Sequence, residues 1–295
     1  MKKYPVILIV LALAVSSFAQ APNGLAFLKI TPDVRSAAMG ETGAYAGNQP
    51  AISVNPAMLA GVSGRMVAFS HQQWIVDTQI NYLQAMFENG YANIAFSALS
   101  TGVDDIEVRT TPSPQPESYI DSKDLMFGMT AARSFGDKLG FGITAKYIQE
   151  HIYYQDTGGF AVDFGAVYQY STRLVLGASV LHLGKMSAME NVEPELPLTA
   201  AFGAAYNLKL ENAGDFTLAL GGNFVREEDL RGNLGVEYRP LEIIALRAGY
   251  LVNYDERGMT AGLGLNWNNL SFDYAYVPFD NDLGDTQKFG FAFRF

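Results

Sequence analysis

Ten residues at 286–295, TQKFGFAFRF, restrict the possible folds more than any other stretch of the chain. Phe289, Phe291, Phe293 and Phe295 alternate with Lys288, Gly290, Ala292 and Arg294. A period of two is a strand, and here one face is wholly aromatic while the other is small or cationic. A soluble sandwich rarely ends on four phenylalanines in a row along one face. The closing strand of a membrane barrel does, with the rings in lipid and the cations in the lumen. Phe293 and Phe295 also match the C-terminal signature by which outer-membrane barrels are recognised for assembly.

The remaining chain repeats the pattern. Strands are predicted at 65–74, 78–88, 91–101, 123–134, 138–151, 158–170, 173–184, 197–208, 214–224, 229–238, 242–252, 257–266, 269–278 and 286–295. Each has about the 9–11 residues that a tilted membrane strand needs. In the eighth, Leu198, Ala200, Phe202, Ala204 and Tyr206 share one face, and Thr199, Ala201, Gly203 and Asn207 the other. The twelfth sets Met259, Ala261, Leu263, Leu265 and Trp267 against Thr260, Gly262, Gly264 and Asn266. The first three alternate least well. If Phe295 lies at the periplasmic face, links after even strands are short turns, and the external ones include the long stretches 102–122 and 185–196. Long outside and short inside is the asymmetry of outer-membrane barrels. Tyr168, Tyr170, Tyr206, Tyr238 and Trp267 fall near the periplasmic ends, and Tyr147, Phe224, Tyr250 and Tyr276 near the external ends. Those are the positions of the two aromatic girdles. The fold class expected is therefore all-β: a transmembrane antiparallel β-barrel of about 14 strands at 65–295.

The N-terminus carries an export leader. Lys2 and Lys3 precede the apolar run 6–15, and Ser17 and Ala19 are the small residues ahead of a cut between Ala19 and Gln20. Residues 1–19 are expected to form a cleaved signal peptide, and export together with the barrel pattern assigns the chain to the Gram-negative outer membrane. Cleavage would remove two basic residues and no acidic one, making the chain still more acidic than its full-length net charge of −10. An acidic chain without basic clusters excludes nucleic acid as a partner, leaving outer-membrane lipid and lipopolysaccharide as the surroundings. With no cysteine, neither a lipid-anchored cysteine nor a disulfide framework is available.

Residues 20–64 have a different character. They are rich in Ala, Gly and Met and punctuated by Pro32, Pro50 and Pro56. A helical turn is expected to start at Thr31, Pro32 and Asp33 and to stop at Gly40. Asn55 before Pro56 is held out of the helical region and can cap a turn over 57–60. Lumen-facing positions of the strands are mostly Gly, Ala, Ser and Thr, too small to fill a bore of fourteen strands. The segment 20–64 is thus expected to plug the lumen or cover its periplasmic mouth, with Arg35 tied to acidic lumen groups.

That segment carries four short motifs in order. They are Phe27-Leu28, then Arg35 through Met39-Gly40, then Gly43-Ala44-Tyr45-Ala46, then Asn55-Pro56-Ala57-Met58-Leu59-Ala60. Together they resemble the PorV/PorQ family of outer-membrane proteins, within the wider group of barrels similar to the FadL long-chain fatty-acid transporters. Val54 stands where that family commonly has an aromatic. The resemblance implies a non-enzymatic role in type IX protein secretion or surface attachment, with secreted cargo proteins and secretion-complex subunits as partners. The alternative is a FadL-like channel for small hydrophobic molecules, which needs an apolar pocket between plug and wall and preferably a lateral gap.

An enzyme is the rival class. The three histidines are His71, His151 and His182; alternation places His182 outward beside Leu174, Leu176, Ala178 and Val180, with no serine or carboxylate predictably beside it. No convergence of nucleophile, base and orienting group is legible, so catalytic residues, metal ligands and cofactors are expected to be none. Acidic groups such as Asp104, Asp105, Glu107, Glu227, Glu228 and Asp229 read as solvated external loops. The pairs Gly140/Gly142 and Gly262/Gly264 read as lumen-facing strand glycines, since no helix follows them as a nucleotide loop requires.

Overall fold

The structure, a computed structural model, describes residues 25–42, 50–75, 77–112, 114–189, 192–211, 213–281 and 284–295. The leader 1–19, the cut between Ala19 and Gln20, and the motif at 43–46 lie outside the described residues.

Fourteen antiparallel strands close on themselves. They are β1 (Arg65–Gln73), β2 (Gln79–Phe87), β3 (Asn93–Val108), β4 (Ser118–Phe135), β5 (Leu139–Ile152), β6 (Gln155–Gln169) and β7 (Leu174–Met186), then β8 (Thr199–Leu210), β9 (Gly214–Val225), β10 (Arg231–Leu241), β11 (Ile244–Val252), β12 (Met259–Trp267), β13 (Leu270–Pro278) and β14 (Asp285–Arg294). Each strand pairs with its neighbours in sequence, and β14 returns to β1, with Val67 opposite Phe293 and Gln72 opposite Lys288. Closure removes every free edge, the condition for strands to cross a bilayer.

Alternation sorts the faces as expected. Phe289, Phe291, Phe293 and Phe295 point outward and are 37–58% exposed, whereas Lys288 is fully buried in the lumen. Leu263, Leu265, Trp267, Phe202 and Tyr206 are likewise exposed on the outer wall. No helix of the described residues is long and apolar enough to cross a membrane; the strands supply the apolar belt.

Two expectations need correction. The external stretch 102–122 is not wholly loop, because β3 and β4 run on as a two-stranded ribbon past the rim, with Ile106 opposite Ile120 and Val108 opposite Ser118. Its polar sequence hides that continuation: no membrane flanks the ribbon, so neither face has to be apolar. His182 does not face lipid. Between Val180, opposite Phe164, and Leu183, opposite Val162, two residues of β7 stand against the single Asp163. This β-bulge places both Leu181 and His182 on the buried side, with His182 at φ +61°. A strict period of two misses an inserted residue.

The N-terminal segment lies inside the barrel in two seats. Near the first, α1 (Val34–Ala38) is capped by Asp33, whose side chain accepts the Ser36 N–H at 2.6 Å. It ends at Gly40, whose φ of +67° suits glycine. In the second, a 3₁₀ turn at Pro56–Gly61 is capped by Asn55, whose Oδ1 accepts the Ala57 N–H at 3.0 Å. Helix α1 rests against β11 to β14, and the turn rests against β3 to β6.

Candidate functional site

So short a segment leaves many backbone carbonyls without an internal partner, and a buried carbonyl must find a donor. The lumen wall provides them. On the α1 side, Ser70 Oγ donates to Pro32 O at 2.8 Å, Lys288 Nζ to Thr31 O at 3.0 Å, Thr260 Oγ1 to Ala38 O at 3.1 Å and Asn233 Nδ2 to Gly40 O at 2.7 Å. On the other side, Ser179 Oγ donates to Val54 O at 2.7 Å, while Asn93 Nδ2 reaches Leu59 O at 3.0 Å and Val62 O at 2.7 Å. The small polar residues of the lumen face are therefore the plug's hydrogen-bond partners.

Charge adds a lock. Arg35 makes a bidentate pair with Glu237 through Nε and Nη2, both at 2.9 Å. Glu237 also accepts from Arg247 at 2.7 Å, and Arg247 continues to Asp273 at 2.5 Å. All four side chains are at most 7% exposed. Arg239 Nε stands further off, 3.7 Å from Glu237, and planar guanidinium forks suit such pairing. Nearer the external rim Arg257 pairs with Glu41 at 2.7 Å.

Lumen glycines shape both seats. A Cβ on Gly142 would stand 2.4 Å from Pro56 C, and one on Gly165 would stand 2.2 Å from Asn55 Oδ1. A Cβ on Gly249 would stand 2.2 Å from Gly40 N, and one on Gly235 2.3 Å from Met39 O. The plug backbone thus lies directly on the wall backbone, which only glycine permits.

The motif residues fall within this assembly. Phe27 is buried, and Leu28 packs against the same external-side cluster with Ile80, Leu99, Met126 and Ile148. Arg35 joins Glu237 as above. Met39, Ala51 and Met58 pack together against Ala205 and Ala219 of β8 and β9. Besides capping its turn, Asn55 donates to Ala166 O at 3.2 Å and Ala178 O at 3.4 Å. Pro56, Ala57 and Leu59 are buried beside it. Replacing Asn55 with alanine removes a cap and two wall contacts, and is expected to cost about 1–2 kcal/mol. A lowered midpoint of heat-modifiable gel migration would register it; an unchanged midpoint would mean that Asn55 does not anchor the turn.

A cavity of about 80 Å³ remains on the external side, between residues 27–32 of the plug and the wall. Its lining includes the apolar Phe27, Ile30, Leu99, Met126, Leu181 and Val225, together with Lys29, Glu41, Lys146 and His182. A polar flank holds Arg231, Arg257, Asn223, Asn233 and Tyr254. Both asparagines donate to the Tyr254 hydroxyl, at 2.9 and 3.2 Å. Burial raises the Tyr254 phenol above its usual pKa, and the Glu41 carboxylate adds to the rise, so it remains a neutral hydroxyl. Sequence reasoning did not find this flank; its members come from β9, β10 and the link after β11, and nothing local marks them as neighbours.

Towards the periplasm a second, polar cavity of about 970 Å³ is bordered by Lys209, Asp215, Arg239, Asn266 and Arg294. Along β8 the external cavity touches Thr199 and Ala201, the methionine cluster touches Ala205, and the periplasmic cavity touches Lys209. Met39 and Met58 therefore sit at the level between the two cavities. Among the described residues every strand is paired with both of its neighbours.

Each of the three histidines has a polar neighbour. His71 Nδ1 lies 2.8 Å from Asn81 Oδ1, and His151 Nδ1 lies 2.8 Å from Asp156 Oδ1 at the exposed rim. The bulge gives His182 a carboxylate neighbour after all: its backbone N–H donates to Asp163 Oδ1 at 2.8 Å, and Asp163 pairs with Lys146 at 2.6 Å.

No protein-family model matches the chain, and no curated protein sequence matches it. Solved structures do match in fold. The Ralstonia pickettii toluene transporter TbuX is 14% identical with a TM-score of 0.64, over 89% of this chain and 98% of that one. The Pseudomonas putida toluene transporter TodX is 12% identical with a TM-score of 0.64, over 88% and 95%. A Pseudomonas aeruginosa FadL homologue is 12% identical with a TM-score of 0.59, over 89% and 98%. At such identities the likeness is one of fold. The chain is a closed fourteen-stranded antiparallel barrel with the fold of these structures.

Proposed function

We propose that the protein is a FadL-like outer-membrane channel that admits small hydrophobic molecules from the external side. The external cavity carries this reading: it lies between plug and wall, and the plug supplies Phe27 and Ile30 to its apolar lining. The fold likeness to two toluene transporters supports it. At about 80 Å³ the cavity is smaller than the roughly 150 Å³ that holds benzene, so a ring enters only if lining side chains move. Met126 is the pliable one, an unbranched thioether with several rotamers. Beyond the cavity, passage requires the Met39 and Met58 side chains to swing aside, since the wall there offers only Ala205 and Ala219.

The test is uptake of labelled toluene by Gram-negative cells lacking their own barrels of this type. Expressing this chain is expected to raise uptake several-fold over empty cells, and Val225→Trp, which fills the cavity, should abolish the gain. Uptake equal to empty cells, with the barrel folded, would remove the proposal.

A second reading, a PorV/PorQ-type role in secretion or surface attachment, rests on the four motifs of residues 27–60 and on the β3–β4 ribbon standing above the rim as a docking element. Recovering secretion-complex proteins with the detergent-extracted barrel would favour it; bound apolar molecules without protein would favour the channel.

A further inference from the structure

The lipid-facing wall carries a feature that neither reading uses. Near the periplasmic ends of β4 to β7 the outer surface is indented by a groove of about 700 Å³. Its sides are Tyr91, Phe135, Phe141, Ile143 and Phe164, and its floor includes Ala131, Ala166 and Ala178. The register explains the hollow. Ala166 stands opposite both Phe141 and Ala178, so two alanines adjoin on the outer face between large side chains. Behind them Gly142 and Gly165 have no side chains, and the wall is bare backbone over the Asn55–Pro56 turn.

At the mouth stands Arg133. It lies on the outward face with Ala131 and Phe135, its guanidinium carbon 4.2 Å from the Tyr91 ring centre and 5.5 Å from that of Phe135. Among the described residues no carboxylate pairs with it. An outward arginine clamped between aromatic rings at the membrane interface is a cation without a protein counter-ion, placed at headgroup height. From Phe135 to Ala131 the groove runs four residues along the strand, about 13 Å at the strand rise, or roughly 10 Å of height at a barrel tilt of about 40°. That lies within one leaflet of a hydrocarbon core about 30 Å thick.

We propose that this groove is a binding site for one glycerophospholipid of the periplasmic leaflet. Its phosphate would pair with Arg133, and one acyl chain would lie over Ala131, Ala166 and Ala178. The occupant follows from position and charge: the groove opens into hydrocarbon, it lies within one leaflet, and the charged residue of its lining is a cation. Guanidinium and phosphate oxygens make strong charge-assisted hydrogen bonds. The proposal is independent of what the lumen transports.

Native mass spectrometry of the purified full barrel with added dioleoylphosphatidylglycerol tests it. One lipid is expected to survive on the unaltered barrel. Arg133→Gln should weaken retention about tenfold, and Ala178→Phe, which fills the groove from the lipid side, should abolish it. Dioleoylglycerol, which lacks the phosphate, should not be retained. Heat-modifiable migration confirms that each variant is folded. Unchanged retention in either variant, or dioleoylglycerol held as well as the phospholipid, overturns the proposal.

Discussion

Glu237→Ala is expected to free the plug. The carboxylate holds Arg35 of α1 and Arg247 of β11 in a layer where all the partners are buried. Removing one member of a buried ionic group leaves its partners charged and desolvated, which costs about 3–5 kcal/mol. Arg247 keeps Asp273 at 2.5 Å, whereas Arg35 loses both bonds of its bidentate pair. The plug therefore loses its bidentate tie to β10, while the wall keeps the Arg247–Asp273 pair. The barrel should still assemble and resist detergent, while trypsin added to the purified protein should begin to cut at Arg35. Arg35→Met/Glu237→Met replaces the pair by apolar side chains of similar length and should largely restore protection. Equal protease resistance in the single and double variants would show that the ionic layer does not hold α1.

Alanine at Gly142 and Gly249 together should unseat the plug by geometry alone. Each new Cβ would sit less than 3.0 Å from plug backbone, at Pro56 and Ala57 on one side and at Met39 and Gly40 on the other. Overpacking of this kind costs about 1–3 kcal/mol per site. Ala205, Ala219 and Ala275 already line the wall, and the wall atom met at Gly249, the Thr260 hydroxyl, is a side-chain end that can turn away, so the cost is relieved by moving the plug. Channel currents in a planar bilayer should rise in the double variant. Ala201→Ser, on the lumen wall but outside both seats, should leave them as they are. A silent double variant would mean that the plug is not pressed against these glycines.

The barrel was legible because it is written locally. Each strand carries its own alternation, and TQKFGFAFRF shows it most clearly. The turns of the plug were legible for the same reason: Asp33 with Gly40, and Asn55 with Pro56, are start and stop signals that lie side by side in the chain. What holds the plug was only half visible. Arg35 could be read as an anchor, but its partner Glu237 lies 202 positions away, and no local pattern selects it from the other acids. Gly142 and Gly262 could be placed on the lumen face by alternation, yet their purpose depends on Pro56 and Ala38 coming to rest on them. The inward turn of His182 was hidden by a single inserted residue. The polar flank of the external cavity gathers from two neighbouring strands and the link after a third, and the outer groove exists only because alanines of β6 and β7 fall into register.

The central claim is that residues 25–42 and 50–64 lie inside the barrel and block it. Planar-bilayer conductance of the intact protein and of a variant lacking those residues tests it most directly. The intact barrel should be nearly silent, and the deletion should open in large, stable steps, because the remaining lumen side chains are too small to fill the bore. Equal conductance in the two would contradict the account.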